Sequence, residues 1–133
     1  MTERHTVRAL RGATTADEQG AAADRPPAAT QELLRALLER NGLTVDAVIS
    51  ALFTLTPDLQ AAAPALAARE AGWHDVPMLT ATEAPAAQSL ACCIRVLLHV
   101  ETARPRAELR HVYLRGARVL RPDLLGDDGA AGH

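Results

Sequence analysis

Four polar side chains stand on stretches that read as β-strands. Arg11 ends Thr6–Arg11, Glu83 ends Val76–Glu83, Arg95 interrupts Ile94–Glu101, and Tyr113 lies within His111–Leu114. Two guanidiniums, one carboxylate and one phenol are the groups that would hold a small ligand bearing carboxylates and a hydroxyl. A guanidinium fork matches a carboxylate through two parallel hydrogen bonds, and a carboxylate accepts from a hydroxyl. Taken singly, each residue is more simply read as a solvated side chain, because an alternating strand normally shows one polar face. Taken together, four such residues on four strands would line one cleft. Composition and spacing do not decide between the two readings.

Other chemistries find less support. His5, His74, His99, His111 and His133 show neither paired ligand spacing nor a cysteine pattern beside them, so no metal site is expected. No glycine-rich phosphate loop follows a strand. Ser50 and Ser89 lack the Gly-x-Ser-x-Gly setting of a nucleophile elbow. Cys92 and Cys93 are adjacent and read as buried, inert thiols rather than nucleophiles.

The elements that must position these residues follow from periodicity. Thr6–Arg11 is a short strand ending at Gly12, and Ala13–Pro27, rich in Ala, Asp and Gly, reads as a mobile loop. A helix is expected from an N-cap at Thr30, with Leu33, Leu34, Leu37 and Leu38 on one face and Asn41-Gly42 at its end. Thr44–Asp46 suits one helical turn, and Val48–Thr56 a buried strand. A second helix runs to about Ala71, and Pro64 either starts it or kinks it. Val76–Glu83 is the third strand and Ala84–Ser89 a loop. Ile94–Glu101 is the most regular strand, with Ile94, Val96, Leu98 and Val100 on one face and Arg95, Leu97, His99 and Glu101 on the other. Pro105–Leu109 suits a short helix, His111–Leu114 and Arg118–Leu120 a last pair of strands, and 125–133 a flexible tail. Alternating strands and helices give an α+β or α/β class.

Composition bounds the rest. A length of 133 residues argues for one domain, 1–133, with little room for a deep pocket of its own. Aromatic residues are so few (2%) that the core must be built from Leu, Val, Ile and Ala. A net charge of −2 gives no general pull toward nucleic acid or an anionic membrane. All 14 basic residues are Arg, as expected of a GC-rich genome, so Arg content alone says little about anion binding. Free thiols suit a reducing cytoplasm, Met1–Arg11 holds no apolar signal core, and no run approaches the roughly 18 apolar residues of a membrane span.

The sequence also carries a resemblance. Val7–Thr15 (VRALRGATT), Thr56–Leu59 (TPDL), Ala67–Trp73 (AAREAGW), Val76-Pro77, Glu83, Cys93–Leu98 (CIRVLL), Arg110–Leu114 (RHVYL) and Val119–Leu124 (VLRPDL) occur in order and at spacing that resemble the short monofunctional chorismate mutases of the trimeric α/β (AroH-like) type. The resemblance covers about residues 7–124. It implies an α+β fold, a mixed sheet packed with helices, assembling into a homotrimeric pseudo-α/β barrel with clefts between subunits. It implies chorismate and prephenate as substrate and product, and no cofactor.

By the same resemblance Arg95 and Glu83 are catalytic, and Arg11 and Tyr113 bind substrate from the same subunit. The stretch Ala63–Arg69, with Ala63, Ala65, Leu66 and Arg69 at contact positions, would come from the neighbour. Leu79, Thr80, Leu120 and Arg121 match further contact positions, and the tail beyond Pro122 would cover the opening. The rearrangement breaks a C–O bond and makes a C–C bond in one pericyclic step. Catalysis then rests on holding the reactive conformer and on stabilising charge at the ether oxygen. Arg95 would face that oxygen, Arg11 with Tyr113 would hold a carboxylate, and Glu83 would accept from the ring hydroxyl and orient Arg95.

Three positions depart from the pattern. Ala63 stands where an aromatic residue is usual, Leu66 where a Lys is, and Thr80 where a Cys is common. Ala63 and Leu66 leave room for a second reading, a trimer that binds such a metabolite without efficient turnover. Intact Arg11, Glu83, Arg95 and Tyr113 argue against it. A different small enzyme on a similar trimer, such as an imine or enamine deaminase, is a third reading whose motifs are not visible here.

Overall fold

A computed structural model of the chain describes residues 4–59, 61–86 and 90–120. In chain order the regular elements are β1 (Thr6–Thr15), α1 (Pro26–Arg40), β2 (Val48–Leu55), α2 (Pro64–Glu70), β3 (Met78–Thr82), β4 (Cys93–Thr102) and β5 (Val112–Tyr113). Short 3-10 turns occupy Ala22–Asp24, Val45–Ala47, Arg106–Glu108 and Arg115–Val119. The five strands form one mixed sheet in the order β3-β2-β4-β1-β5. The central pairs β2–β4 and β4–β1 are antiparallel, and the edge strands β3 and β5 lie parallel to β2 and β1.

One face of the sheet is apolar and covered. Leu10, Phe53, Val96, Leu98, Val100 and Val112 pack against Leu33, Leu34 and Leu37 of α1, with Ala68 and Trp73 closing the end. The close approach of α1 depends on Gly12, where an added Cβ would lie 2.8 Å from Leu37 Cδ1 and 3.3 Å from the Val112 carbonyl oxygen. α1 stops at Asn41 because Gly42 takes φ 64° and the Leu43 N–H returns to the Leu38 carbonyl at 2.9 Å, a left-handed cap of the Schellman kind.

Several expectations need correction. β1 runs to Thr15 rather than Arg11, since residues through Thr15 keep pairing with β4 as far as Cys93. Ala13–Thr15 is therefore strand, not loop. α1 begins at Pro26, with Arg25 at the cap position. Prolines fit a first helical turn because the N–H groups there have no helical partner, so Pro26-Pro27 opens the helix. Thr30, expected as the N-cap, is instead buried within it. α2 starts at Pro64, which settles the choice between a start and a kink. The expected strand Arg118–Leu120 is a 3-10 turn over Arg115–Val119, and the expected helix Pro105–Leu109 shrinks to Arg106–Glu108. The tail 125–133 lies outside the described residues.

The Thr56–Leu59 stretch fixes where β4 begins. Thr56 Oγ1 donates to Asp58 at 2.6 Å and accepts the Cys93 N–H at 2.9 Å, while Asp58 accepts the Cys92 N–H at 2.9 Å. Cys92 sits at φ 53°, a left-handed conformation rare for a side-chain-bearing residue, and this small network holds it there. The Thr56 hydroxyl is the main reason the Asp58 carboxyl is held below its ordinary value.

Candidate active site

The candidate site residues lie on the other face of the sheet, in two adjacent rows. Strand register sets Tyr113, Ala13, Arg95, Thr54 and Ala81 side by side across all five strands. The next row is Arg11, Leu97, Leu52 and Leu79. Side chains two residues apart share a face, so Arg11, Arg95 and Tyr113 point to the same side. Ala13 stands between Tyr113 and Arg95, and its small side chain leaves a hollow. The resulting cavity, about 170 Å³, is lined by Arg11, Ala13, Leu52, Thr54, Arg95, Leu97 and Tyr113.

Glu83 reaches this group from one residue beyond β3. Its N–H donates to the Leu55 carbonyl at 2.7 Å, extending the β2–β3 pairing. Its carboxylate accepts from Thr54 Oγ1 at 2.6 Å and lies 3.1 Å from Arg95 Nε. The Arg95 contact is an ion pair rather than an aligned hydrogen bond, since Nε meets no hydrogen-bond geometry. With its Nε edge beside Glu83, the half-exposed guanidinium turns toward the open side of the sheet. The buried Cys93, two residues before Arg95 on the same face of β4, lies in a cluster with Ala13, Tyr113 and Ala117. Burial pushes the Cys93 thiol up, and the nearby Arg95 charge opposes this only in part. The thiol is thus neutral at physiological pH and does not serve as a nucleophile.

The structure brings Arg11, Arg95, Tyr113 and Glu83 together. Leu79 lies on the same face at the edge strand, and Leu120 packs against the cluster of Ala13, Cys93, Tyr113 and Ala117. Thr80 pairs with Phe53, which places its exposed side chain on the sheet face opposite Arg95, and it does not line the first cavity. Ala63 and Leu66 line a different hollow of about 410 Å³, beside Glu18, Arg25, Pro26 and Glu70. Ala65 and Arg69 belong to the same helix α2 and do not line the first cavity. Arg121 lies outside the described residues. The sequence reading passed over Thr54, which orients Glu83. Its period-two spacing from Leu52 on β2 was the available signal.

This arrangement defines an α+β protein with a hollow on one sheet face lined by two guanidiniums and a phenol. The family model for chorismate mutase type I matches residues 7–124. The chain is similar to the chorismate mutase AroH of Thermus thermophilus, 48% identical over 122 residues, which covers 89% of this chain and 96% of the relative. It is also similar to the AroH of Bacillus subtilis, 40% identical over 119 residues, covering 89% and 92%. A solved chorismate mutase from Clostridium thermocellum superposes with a TM-score of 0.77 at 46% identity, covering 84% of this chain and 98% of that one. The chain belongs to the type I chorismate mutase family.

Proposed function

We propose that this protein rearranges chorismate to prephenate at the Arg11–Arg95–Tyr113 hollow, completed by a neighbouring copy in a homotrimer. The observation that carries the site assignment is the Glu83–Arg95 pair, at 3.1 Å on an open face, beside a second guanidinium and a phenol in one cavity. Arg95 meets negative charge as it develops on the breaking ether bond, so it favours the transition state over the ground state. Arg11 and Tyr113 hold a carboxylate. Glu83, itself oriented by Thr54, accepts from the ring hydroxyl and keeps Arg95 aimed. The step is an isomerisation: one C–O bond breaks, one C–C bond forms, and no proton leaves.

Two features support the shared cleft. A hollow of about 170 Å³ falls short of the roughly 300–1,000 Å³ usual for small-molecule sites, so one copy supplies only part of the wall. The sheet face around it also presents Val7, Leu52 and Leu79 to solvent, an apolar surface that a second copy would cover. A neighbour would bring Ala63–Arg69 to the cleft edge. The free thiols Cys92 and Cys93 suit a reducing cytoplasm. Among the described residues no helix is long and apolar enough to cross a membrane.

The test follows the loss of chorismate absorbance on adding purified protein, with prephenate confirmed by acid conversion to phenylpyruvate. Rapid turnover is expected. A folded trimer that binds chorismate without turning it over would replace this reading with the non-catalytic one.

Leu66 offers a second, graded test. It is half exposed on α2 and supplies no charge for a substrate carboxylate. Leu66→Lys is expected to lower KM about fivefold with kcat little changed, since an exposed charge pair contributes up to about 1 kcal/mol. An unchanged KM would remove residue 66 from the cleft.

A further inference from the structure

The strand that carries Tyr113 is only two residues long and lies at the sheet edge, paired with Gly12 and Ala13 alone. Such a strand does not fix a phenol's position by its own ladder. The structure shows how it is fixed, and both ends lead to α1.

Upstream, Asn41 at the end of α1 is almost fully buried and brackets Arg110. Its Oδ1 accepts the Arg110 N–H at 2.8 Å and its Nδ2 donates to the Arg110 carbonyl at 2.9 Å. The same Nδ2 donates to Leu37 within the helix at 2.8 Å. Downstream, Arg115 spreads all three guanidinium nitrogens over the other end. Nε donates to Glu32 of α1 at 3.0 Å, Nη1 to Asp24 at 2.8 Å and Nη2 to the Ala23 carbonyl at 3.0 Å. Its backbone is left-handed at φ 52°, a conformation that a side chain disfavours and that persists where surroundings over-determine it. The turn it opens is tied back to β1 by the Gly116 N–H donating to Thr15 Oγ1 at 3.0 Å, and it delivers Ala117 into the buried cluster that contains Tyr113, with Leu120 packed against that cluster.

We infer that Arg115 is a positioning residue for the substrate site: by clamping the chain after β5 to α1 and to the Ala22–Asp24 turn, it fixes where the Tyr113 hydroxyl stands. The hydrogen bonds to Asp24 and Glu32 also push the Arg115 guanidinium further up from its ordinary value. The inference rests on the reading of Tyr113 as a carboxylate-binding residue.

The experiment is a double-substitution cycle on chorismate turnover with the full chain. Arg115→Gly removes the three bonds while still accepting the left-handed backbone. It is expected to raise KM about tenfold with kcat within threefold of the unmodified protein. In a Tyr113→Phe background the same change is expected to add less than twofold, because the group it positions is already gone. Arg115→Lys, which keeps the charge but loses the planar fork, is expected to fall between the two.

An unchanged KM in Arg115→Gly, or an equal rise in the Tyr113→Phe background, overturns the inference. If Arg115→Gly fails to fold, Glu32→Gln enters the same cycle in its place, judged by the same criterion. Inactivity of the unmodified protein would instead sink the assignment of function. Activity in the unmodified protein with a null cycle sinks this inference alone.

Discussion

Arg95→Ala is expected to slow chorismate turnover by about 10²–10³-fold, the usual cost of removing one preorganised donor, and by more if loss of a full cation dominates. The fall should appear equally in kcat and in kcat/KM, as it does when an interaction made only in the transition state is lost. The geometry gives the reason. Arg95 sits near the start of β4, paired with Ala13 on one side and Thr54 on the other, so the strand backbone fixes its origin. Glu83 holds one edge of the fork at 3.1 Å, and Thr54 holds Glu83. Little reorganisation is then needed when charge appears on the ether oxygen.

The same variant should fold and assemble normally. Arg95 is about two-fifths exposed, an ion pair of that exposure contributes at most about 1 kcal/mol, and Glu83 keeps its Thr54 partner. Arg95→Lys should recover only part of the rate, because an ammonium lacks the planar fork. Turnover at the unmodified rate in Arg95→Ala, measured with chorismate and a folded protein, would sink the mechanism.

How much of this was legible in the sequence depends on the range of the interaction concerned. β4 was readable almost to its ends because Ile94, Val96, Leu98 and Val100 alternate with Arg95, Leu97 and His99, and alternation is a local signal. The face shared by Arg11, Arg95 and Tyr113 was not given by that parity, which holds within one strand; it comes from the pairing of β1 with β4 and β5. β1 was cut short at Arg11 because Gly12 and the small residues after it look like loop. Only pairing with β4 and β5 shows that they are strand, and only contact with Leu33 and Leu37 explains why Gly12 is needed.

The start of α1 was misplaced for a similar reason. Thr30 has the side chain of a cap, but Pro26-Pro27 satisfies the first turn without one. The turn at Arg115 defeated a strand reading of Arg118–Leu120 because its cause, a clamp to Asp24 and Glu32, lies more than eighty residues back in the chain. The second hollow, at Ala63 and Leu66, is separate from the first among the described residues, so only the family resemblance, and no local pattern, joined the two in one cleft.

That separation makes assembly the second point of large effect. Leu79 is 72% exposed on β3, at the edge of the sheet and on the same face as Leu52 and the site. In an isolated subunit, Leu79→Asp should change stability by no more than about 0.5 kcal/mol, as is usual for an exposed position. In a trimer built on this face the same carboxylate would be buried without a partner, a cost large enough to dissociate subunits. Leu79→Asp is therefore expected to sediment as a folded monomer at micromolar concentration, with a circular dichroism spectrum like that of the unmodified protein, and to lose most turnover. Raising protein concentration should restore specific activity in step with the trimer fraction, because the missing wall returns only with the neighbour. That concentration dependence separates an assembly defect from loss of a direct Leu79 contact, which would lower activity equally at every concentration. A Leu79→Asp protein that stays trimeric and fully active would show that the open sheet face is not the subunit interface, and the 63–69 stretch would then have to be excluded from the cleft.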